Sequence, residues 1–313
     1  MAGAGSAATR TSIVVEHSVS GPTALWLAPT LTALVAWGIA QGLVKKYIGE
    51  VSAERFCLYY ALANATVSLA FWAWHDAPPP FAPEGRQFAL YGLLAYAFDG
   101  VAWIFYYRSI TYGPISIVGT LSAAYPALTV TFAHYFLGES LTSAQGAGVG
   151  AVLLGCMALA WSPPQAQATR PTSTRWMFYA GAAVLLWGVS GTVTRYAYRL
   201  PNAHEANMAL FIAISGLSTL GLYGLVMGAA RGASGKELLR AFGPMATMAV
   251  GSLLVAIAYK YGPASLVTPL AGAYPVVTLG FAWAVLKERP TALQWGGIAA
   301  VLLGMVLTTA VPD

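Results

Sequence analysis

The chain has 313 residues, 58% of them hydrophobic and only 9% charged, with a net charge of +5. A soluble domain carries about 25% charged residues to clothe its surface, so a soluble fold is excluded. The basic excess is dispersed, with no basic helix and no zinc-spaced Cys/His set, so nucleic acid is not expected as a partner.

Residues 1–16 are small and polar and read as a flexible N-terminal segment without the succession of charged start, apolar core and cleavage site of a signal peptide. Ten apolar stretches follow. They predict helices over 24–44, 53–74, 88–107, 113–136, 145–162, 176–195, 204–227, 241–259, 263–286 and 292–310, each close to the ~20 residues that span a bilayer. Helices are required because lipid offers backbone N–H and C=O groups no partner. A barrel would need alternating segments about half as long. Cys57 and Cys156 fall inside apolar runs and read as buried thiols.

The stretch 261–309 is a second copy of 112–160. At a constant offset of 149, 22 of the 49 paired residues are identical. Tyr112-Gly113-Pro114 falls on Tyr261-Gly262-Pro263, Tyr125-Pro126 on Tyr274-Pro275, Glu139 on Glu288 and Gln145 on Gln294. The earlier helices match more faintly: Trp37-Gly38 falls on Trp187-Gly188, with Lys45 and Arg195 each eight residues beyond the Trp. The chain therefore divides into a five-helix repeat over 17–162, a Pro-rich linker over 163–175 and a second five-helix repeat over 176–313. Five is odd, so the second half crosses the membrane in the opposite sense. The predicted fold is all-α: a polytopic membrane protein with ten transmembrane helices in two inverted five-helix repeats.

Asp99 stands in the middle of the third helix, and the nearest basic residue, Arg108, is nine positions away. A mid-membrane aspartate costs ~2.5–3.5 kcal/mol on insertion scales, so it should face a polar cavity or a partner. Tyr96, Asp99 and Trp103 are spaced three and four apart, on one helical face. A carboxylate flanked by aromatic rings suits a cation, or the ammonium end of an amino acid. A structural hydrogen bond across a helix interface accounts for the same residue. The repeat has Met248 at the matching position, so the charge is not duplicated. Trp37 and Trp187 lie inside their helices rather than at the interface, and symmetry would bring them near one another, as lining of a substrate path or as core. Gly38 and Gly188 permit close helix approach beside them. Pro126 and Pro275, each preceded by a tyrosine, are expected to kink their helices, lining a pocket with Tyr125 and Tyr274 or packing rigidly.

His134 reads as an interface residue or a proton carrier. Glu139 and Glu288 should cap the helix that follows each, or pair with a loop base. Glu54-Arg55 and His204-Glu205 are interfacial charges or gate pairs. The four histidines (His17, His75, His134 and His204) are scattered, so no metal, cofactor or catalytic site is expected.

The doubled Trp-Gly, the doubled Tyr-Pro, and the Gly138-Glu139 and Glu288 turns, followed by Gln145-x-x-Gly148 and Gln294-x-x-Gly297, resemble the EamA family of the drug/metabolite transporter superfamily over roughly 24–310. Lys287 departs from the pattern where the first copy has Gly138. The resemblance implies a secondary transporter, not an enzyme, moving a small organic metabolite by alternating access through a cavity between the halves; many members are exporters. Its partners would be the lipid bilayer, a small-molecule substrate and either a coupling proton or a counter-substrate, in an inner or plasma membrane, as monomer or homodimer. Asp99 is no mark of the family. Its setting alone points to a cationic or zwitterionic substrate, such as an amine or amino acid, ahead of a sugar-like or anionic one. A receptor or scaffold without transport is the remaining alternative. A Lys/Arg count of eleven against five puts the termini outside, whereas family habit puts them in the cytoplasm.

Overall fold

The structure is a computed structural model that describes residues 23–47, 51–113, 118, 121–161, 174–228, 234–285, 287 and 289–309. The segment 1–16, the linker up to 173, part of the predicted helix 113–136 and Glu288 lie outside the described residues. Secondary structure among the described residues is helical throughout. In chain order it comprises α1 (Thr23–Tyr47), α2 (Ala53–Trp74), α3 (Arg86–Tyr112), α4 (Tyr125–Leu137), α5 (Ser143–Ala160), α6 (Arg175–Ala197), α7 (Glu205–Val226), α8 (Gly235–Tyr261), α9 (Ala264–Gly272), α10 (Pro275–Val285) and α11 (Ala292–Thr309). Nine stretches among the described residues are long and apolar enough to cross a bilayer, α9 and α10 together making one. α4 belongs to the tenth.

Local chemistry sets the ends. Thr142 and Gln145 form a reciprocal capping box at the start of α5, and Thr291 and Gln294 make the same two hydrogen bonds at α11. The Ser234 hydroxyl accepts from the Glu237 amide, 3.1 Å, and starts α8 six residues before the apolar stretch begins. Charged residues extend this helix past its membrane core, which hydropathy alone does not register. α4 ends on Gly138 in the left-handed conformation, φ 66°. Lys287, its repeat equivalent, adopts φ 59°. Lys287 thus holds a left-handed φ without being a glycine, at a cost of roughly 1–2 kcal/mol.

The expected proline kinks are corrected to breaks. Pro275 does not bend a continuous helix; α9 stops at Gly272, a turn covers 273–274, and Pro275 opens α10. α4 likewise begins at Tyr125-Pro126 after a turn at 123–124. Proline tolerates a first helical turn, where its missing N–H is not needed, and not a helix interior.

Repeat-equivalent helices run antiparallel where they meet, which is the inversion itself. In α5 and α11 a Cβ on Gly148 would lie 2.7 Å from the Gly304 oxygen, and one on Gly155 would lie 2.7 Å from the Gly297 oxygen. As one chain advances the other retreats. The same holds for α2 and α7, where Gly224 abuts Leu58, Gly221 abuts Ala61 and Gly216 abuts Asn64. Further in, α1 packs along α8, and its equivalent α6 packs along α3. The central helices are therefore exchanged between the halves.

These contacts make a prediction. Gly155→Leu should force α5 and α11 apart and lower stability by about 1–3 kcal/mol, the usual cost of overpacking. Gly146→Leu, on the same helix with nothing within 4 Å of the added atom, should leave the melting temperature in detergent unchanged.

Candidate functional site

Asp99 is the midpoint of the 27-residue α3, and Met248 is the midpoint of the 27-residue α8. The Trp187 indole of α6 lies within interaction range of the Asp99 carboxylate. Among the described residues no basic side chain pairs with Asp99. The phenols of Tyr60, Tyr96, Tyr125 and Tyr259 lie within electrostatic range of it. Asp99 sits at mid-helix among these rings and still keeps accessible surface, as do Trp103, Tyr106, Tyr125, Trp187, Trp37 and Tyr274.

The aromatic rings form two groups, one around Trp187 and one around Trp37. Trp187 meets Trp103 at 5.2 Å, Tyr106 at 5.5 Å and Tyr125 at 5.6 Å between centroids, all three on the opposite half of the chain. Trp103 also meets Tyr60 at 5.4 Å. Across the axis, Trp37 meets Tyr274 at 5.9 Å, edge to face. Each internal tryptophan therefore packs on the Tyr-Pro tyrosine of the other half, not on its twin. The glycines permit this. A Cβ on Gly38 would overlap Val277, and one on Gly188 would lie 2.7 Å from the Cβ of Leu128, the repeat equivalent of Val277. Thr278 donates to the Gly38 carbonyl, 3.2 Å, on the same contact.

The predicted residues thus come together unequally. Asp99, Trp103, Trp187 and Tyr125 form one cluster, and Trp37 and Tyr274 form its counterpart. Tyr96 lies near Asp99 but is nearly buried in the core that α3 shares with α6, α7 and α8. Pro126 is buried behind Tyr125, within reach of Gly272 at the other break. Sequence reasoning missed Tyr106, although its spacing of seven from Asp99 continues the same helical face. It also missed Tyr60, whose hydroxyl shares a 2.9 Å hydrogen bond with Ser252 of α8. No local pattern announces that contact.

At one end of the bundle lies a separate ionic assembly. Glu139, 6% exposed, accepts from the Ala264 amide at 3.1 Å, the Ser265 amide at 2.9 Å and the Ser265 hydroxyl at 2.8 Å. It also pairs with Arg195 at 3.4 Å and Arg199 at 3.5 Å. The expectation of a cap is therefore met on a different helix. Glu139 caps α9 of the opposite half, because the helix following it, α5, already has its Thr142–Gln145 box. Here the positive end of a helix and two guanidinium groups converge on one carboxylate. Glu205 pairs with Lys260 nearby, and at the far end of α8 Arg55 and Tyr59 hold Glu237 at 3.2 and 2.9 Å. His134 is exposed, its ring bonded to the Glu139 backbone carbonyl at 3.0 Å. Cys57 and Cys156 are buried free thiols.

Glu139→Ala would uncover Arg195 and strip the α9 cap. Breaking a buried pair costs about 3–5 kcal/mol, so a drop of many degrees in detergent melting temperature is expected, against none for Asp76→Ala in an exposed loop.

Residues 23–161 and 174–310 each match the EamA-like transporter family. A solved crystal structure of a protein is similar at 19% identity with a TM-score of 0.72, over 90% of this chain and 95% of that one, a likeness of fold. No curated protein matches the chain. With the family match covering both halves of the bundle, the chain belongs to the EamA-like transporter family and is a multi-pass membrane transporter of the drug/metabolite type.

Proposed function

We propose that this transporter moves a small organic cation or zwitterion across an inner or plasma membrane, by alternating access between its two inverted halves, with the ligand held at mid-membrane against Asp99. The observation that carries the reading is the isolation of that carboxylate. At the midpoint of α3 its neighbour is the neutral Trp187 indole, and Arg108, Arg195 and Lys260 are engaged elsewhere. An ionised group so placed is costly until a cation joins it. Trp187, within range of Asp99, is itself packed against Trp103 and Tyr106, rings of the kind whose quadrupoles attract an ammonium group.

The same physics bears on coupling. A carboxylate left bare at mid-membrane disfavours the empty carrier, so the return passage proceeds with a proton or a second ligand on Asp99. The Tyr125 and Tyr274 breaks, one in each half, provide joints at which the half-helices change direction as the cavity shifts sides.

The test is binding to purified protein across cationic, zwitterionic and anionic metabolites over a range of pH. Asp99→Asn is expected to weaken cation binding about tenfold or more, equivalent to ~1.4 kcal/mol or above, and to flatten its pH dependence. Equal binding by both proteins at every pH would make Asp99 a structural residue and remove the proposed ligand class.

Trp187→Phe keeps most of the ring but removes the indole N–H. Cation affinity is expected to fall by about two- to tenfold, the scale of one modest hydrogen bond, whereas Trp37→Phe should have less effect on the ammonium end.

A further inference from the structure

α9 is a nine-residue half-helix with a joint at each end, Gly262-Pro263 behind it and the turn at 273–274 ahead. Its own N-cap residue, Pro263, makes no side-chain hydrogen bond to the first amides. The Pro263 carbonyl takes the Leu266 and Val267 amides, at 3.1 and 3.0 Å. The two amides before them, of Ala264 and Ser265, go to Glu139 of the other half. The Ser265 hydroxyl, 2.8 Å from the same carboxylate, adds a third donor.

Glu139 is held from its other side as well. Arg195 pairs with it at 3.4 Å and also donates to the Tyr259 and Lys260 carbonyls at the end of α8, at 2.8 and 3.1 Å. Arg199 pairs with it at 3.5 Å and donates to the Leu137 carbonyl at 2.6 Å. α9 is tied to α8 in turn by the Tyr259–Thr268 hydroxyl pair, 2.8 Å. One carboxylate at the end of α4 thus fastens α9 directly, and α6 and α8 through Arg195. Beside it lies an apolar seal, in which Trp26 of α1, Ala133 and Leu137 of α4, and Val267 and Leu270 of α9 share one buried cluster.

A transporter must open each end in turn, whatever it carries. We propose that α9 is the gate at this end and Glu139 its latch: opening withdraws the α9 amides from the carboxylate, and closing restores them. The chemistry suits reversible use. These charges lie at the end of the bundle, where water admitted by opening solvates the carboxylate, the guanidinium groups and the freed amides. Desolvation offsets much of the Coulombic gain of a buried ion pair, so the hydrated and the closed arrangements are close in free energy. Glu139 acts through α9, as a positioning residue, and the inference does not depend on Asp99.

A thiol in the seal reports on the gate without any ligand. Ala133→Cys, in a chain with Cys57 and Cys156 replaced by alanine, puts a thiol at a fully buried position of α4. Its labelling by a maleimide in detergent, well below the melting temperature, follows the open population. Ser265→Ala removes one latch bond and is expected to speed labelling about fivefold, the scale of one hydrogen bond. Glu139→Gln sets an NH2 group against the amides or the guanidinium groups and is expected to speed it by about tenfold or more. Gly155→Leu, which strains α5 against α11 away from the latch, should leave the rate unchanged. The gate is overturned if either latch variant folds and labels at the parent rate, or if Gly155→Leu speeds labelling as much as Ser265→Ala. It is equally overturned if the parent thiol reacts as fast as in the unfolded chain. Should Glu139→Gln fail to fold, Ser265→Ala decides.

Discussion

Lipid gives an unpaired backbone group nothing to bond, and this constraint places the centre of the molecule. A helix broken at mid-membrane must have its break enclosed by protein, and the α9–α10 break is. Every residue from 264 to 273 is buried, whereas in α10 only Ala282 is. α9 is thus a half-helix driven into the core, with its N-terminal amides taken up by Glu139 of the other half. The break it terminates delivers Tyr274 to the axis. α4, opening at Tyr125-Pro126, delivers Tyr125 in the same way. The two internal tryptophans meet these tyrosines because Gly38 and Gly188 let their helices close on α10 and α4. The aromatic wall around Asp99 follows from the need to hide two interruptions of backbone hydrogen bonding.

Within that frame the same rule applied to side chains separates the halves. A buried indole N–H requires an acceptor. In one half the main-chain carbonyl of Met248 serves Trp37, at 3.1 Å, available whatever residue occupies that position. In the other the side chain of Asp99 lies within range of the indole. One exchange of Asp for Met at symmetry-related helix midpoints leaves the packing comparable and gives the site a charged end and a neutral one. An inverted repeat therefore does not entail a symmetric ligand.

How much of this could be read in the sequence depended on the range of the interaction concerned. The duplication, the ten spans and their inversion were legible because they rest on local hydropathy and on a constant offset. Trp37, Trp187, Tyr125, Tyr274 and Asp99 were legible because an aromatic or charged residue deep in an apolar helix violates a local expectation. Their pairing was not, since Trp37 with Tyr274 and Trp187 with Tyr125 are contacts between halves that no spacing encodes. Glu139 illustrates the limit. Its position suggested a cap, but the nearest helix start already had one, and the acceptor went to a half-helix 125 residues further along the chain. Pro275 illustrates another: a missing N–H is compatible with a kink or with a new N-terminus, and the burial of the preceding turn decides between them. Lys287 misleads in the opposite direction. A residue strained into a left-handed φ resembles a departure from the repeat while keeping the φ of Gly138.

The distribution of paired charge also fits the proposed division of labour. Where the bundle holds itself together, carboxylates are matched: Glu139 with two arginines and two amides, Glu205 with Lys260, Glu237 with Arg55 and Tyr59. The latter two pairs are only partly buried, and pairs of that kind contribute about 0–1 kcal/mol. They can separate at little cost if the halves rock, whereas Glu139 secures its own end more firmly. At mid-membrane the opposite holds, for among the described residues no cation pairs with Asp99. A protein that used this carboxylate only for packing would gain by neutralising it within the bundle, as it neutralises the others. Its isolation beside partly buried rings is instead what a site needs if the compensating charge is to arrive and leave with the ligand.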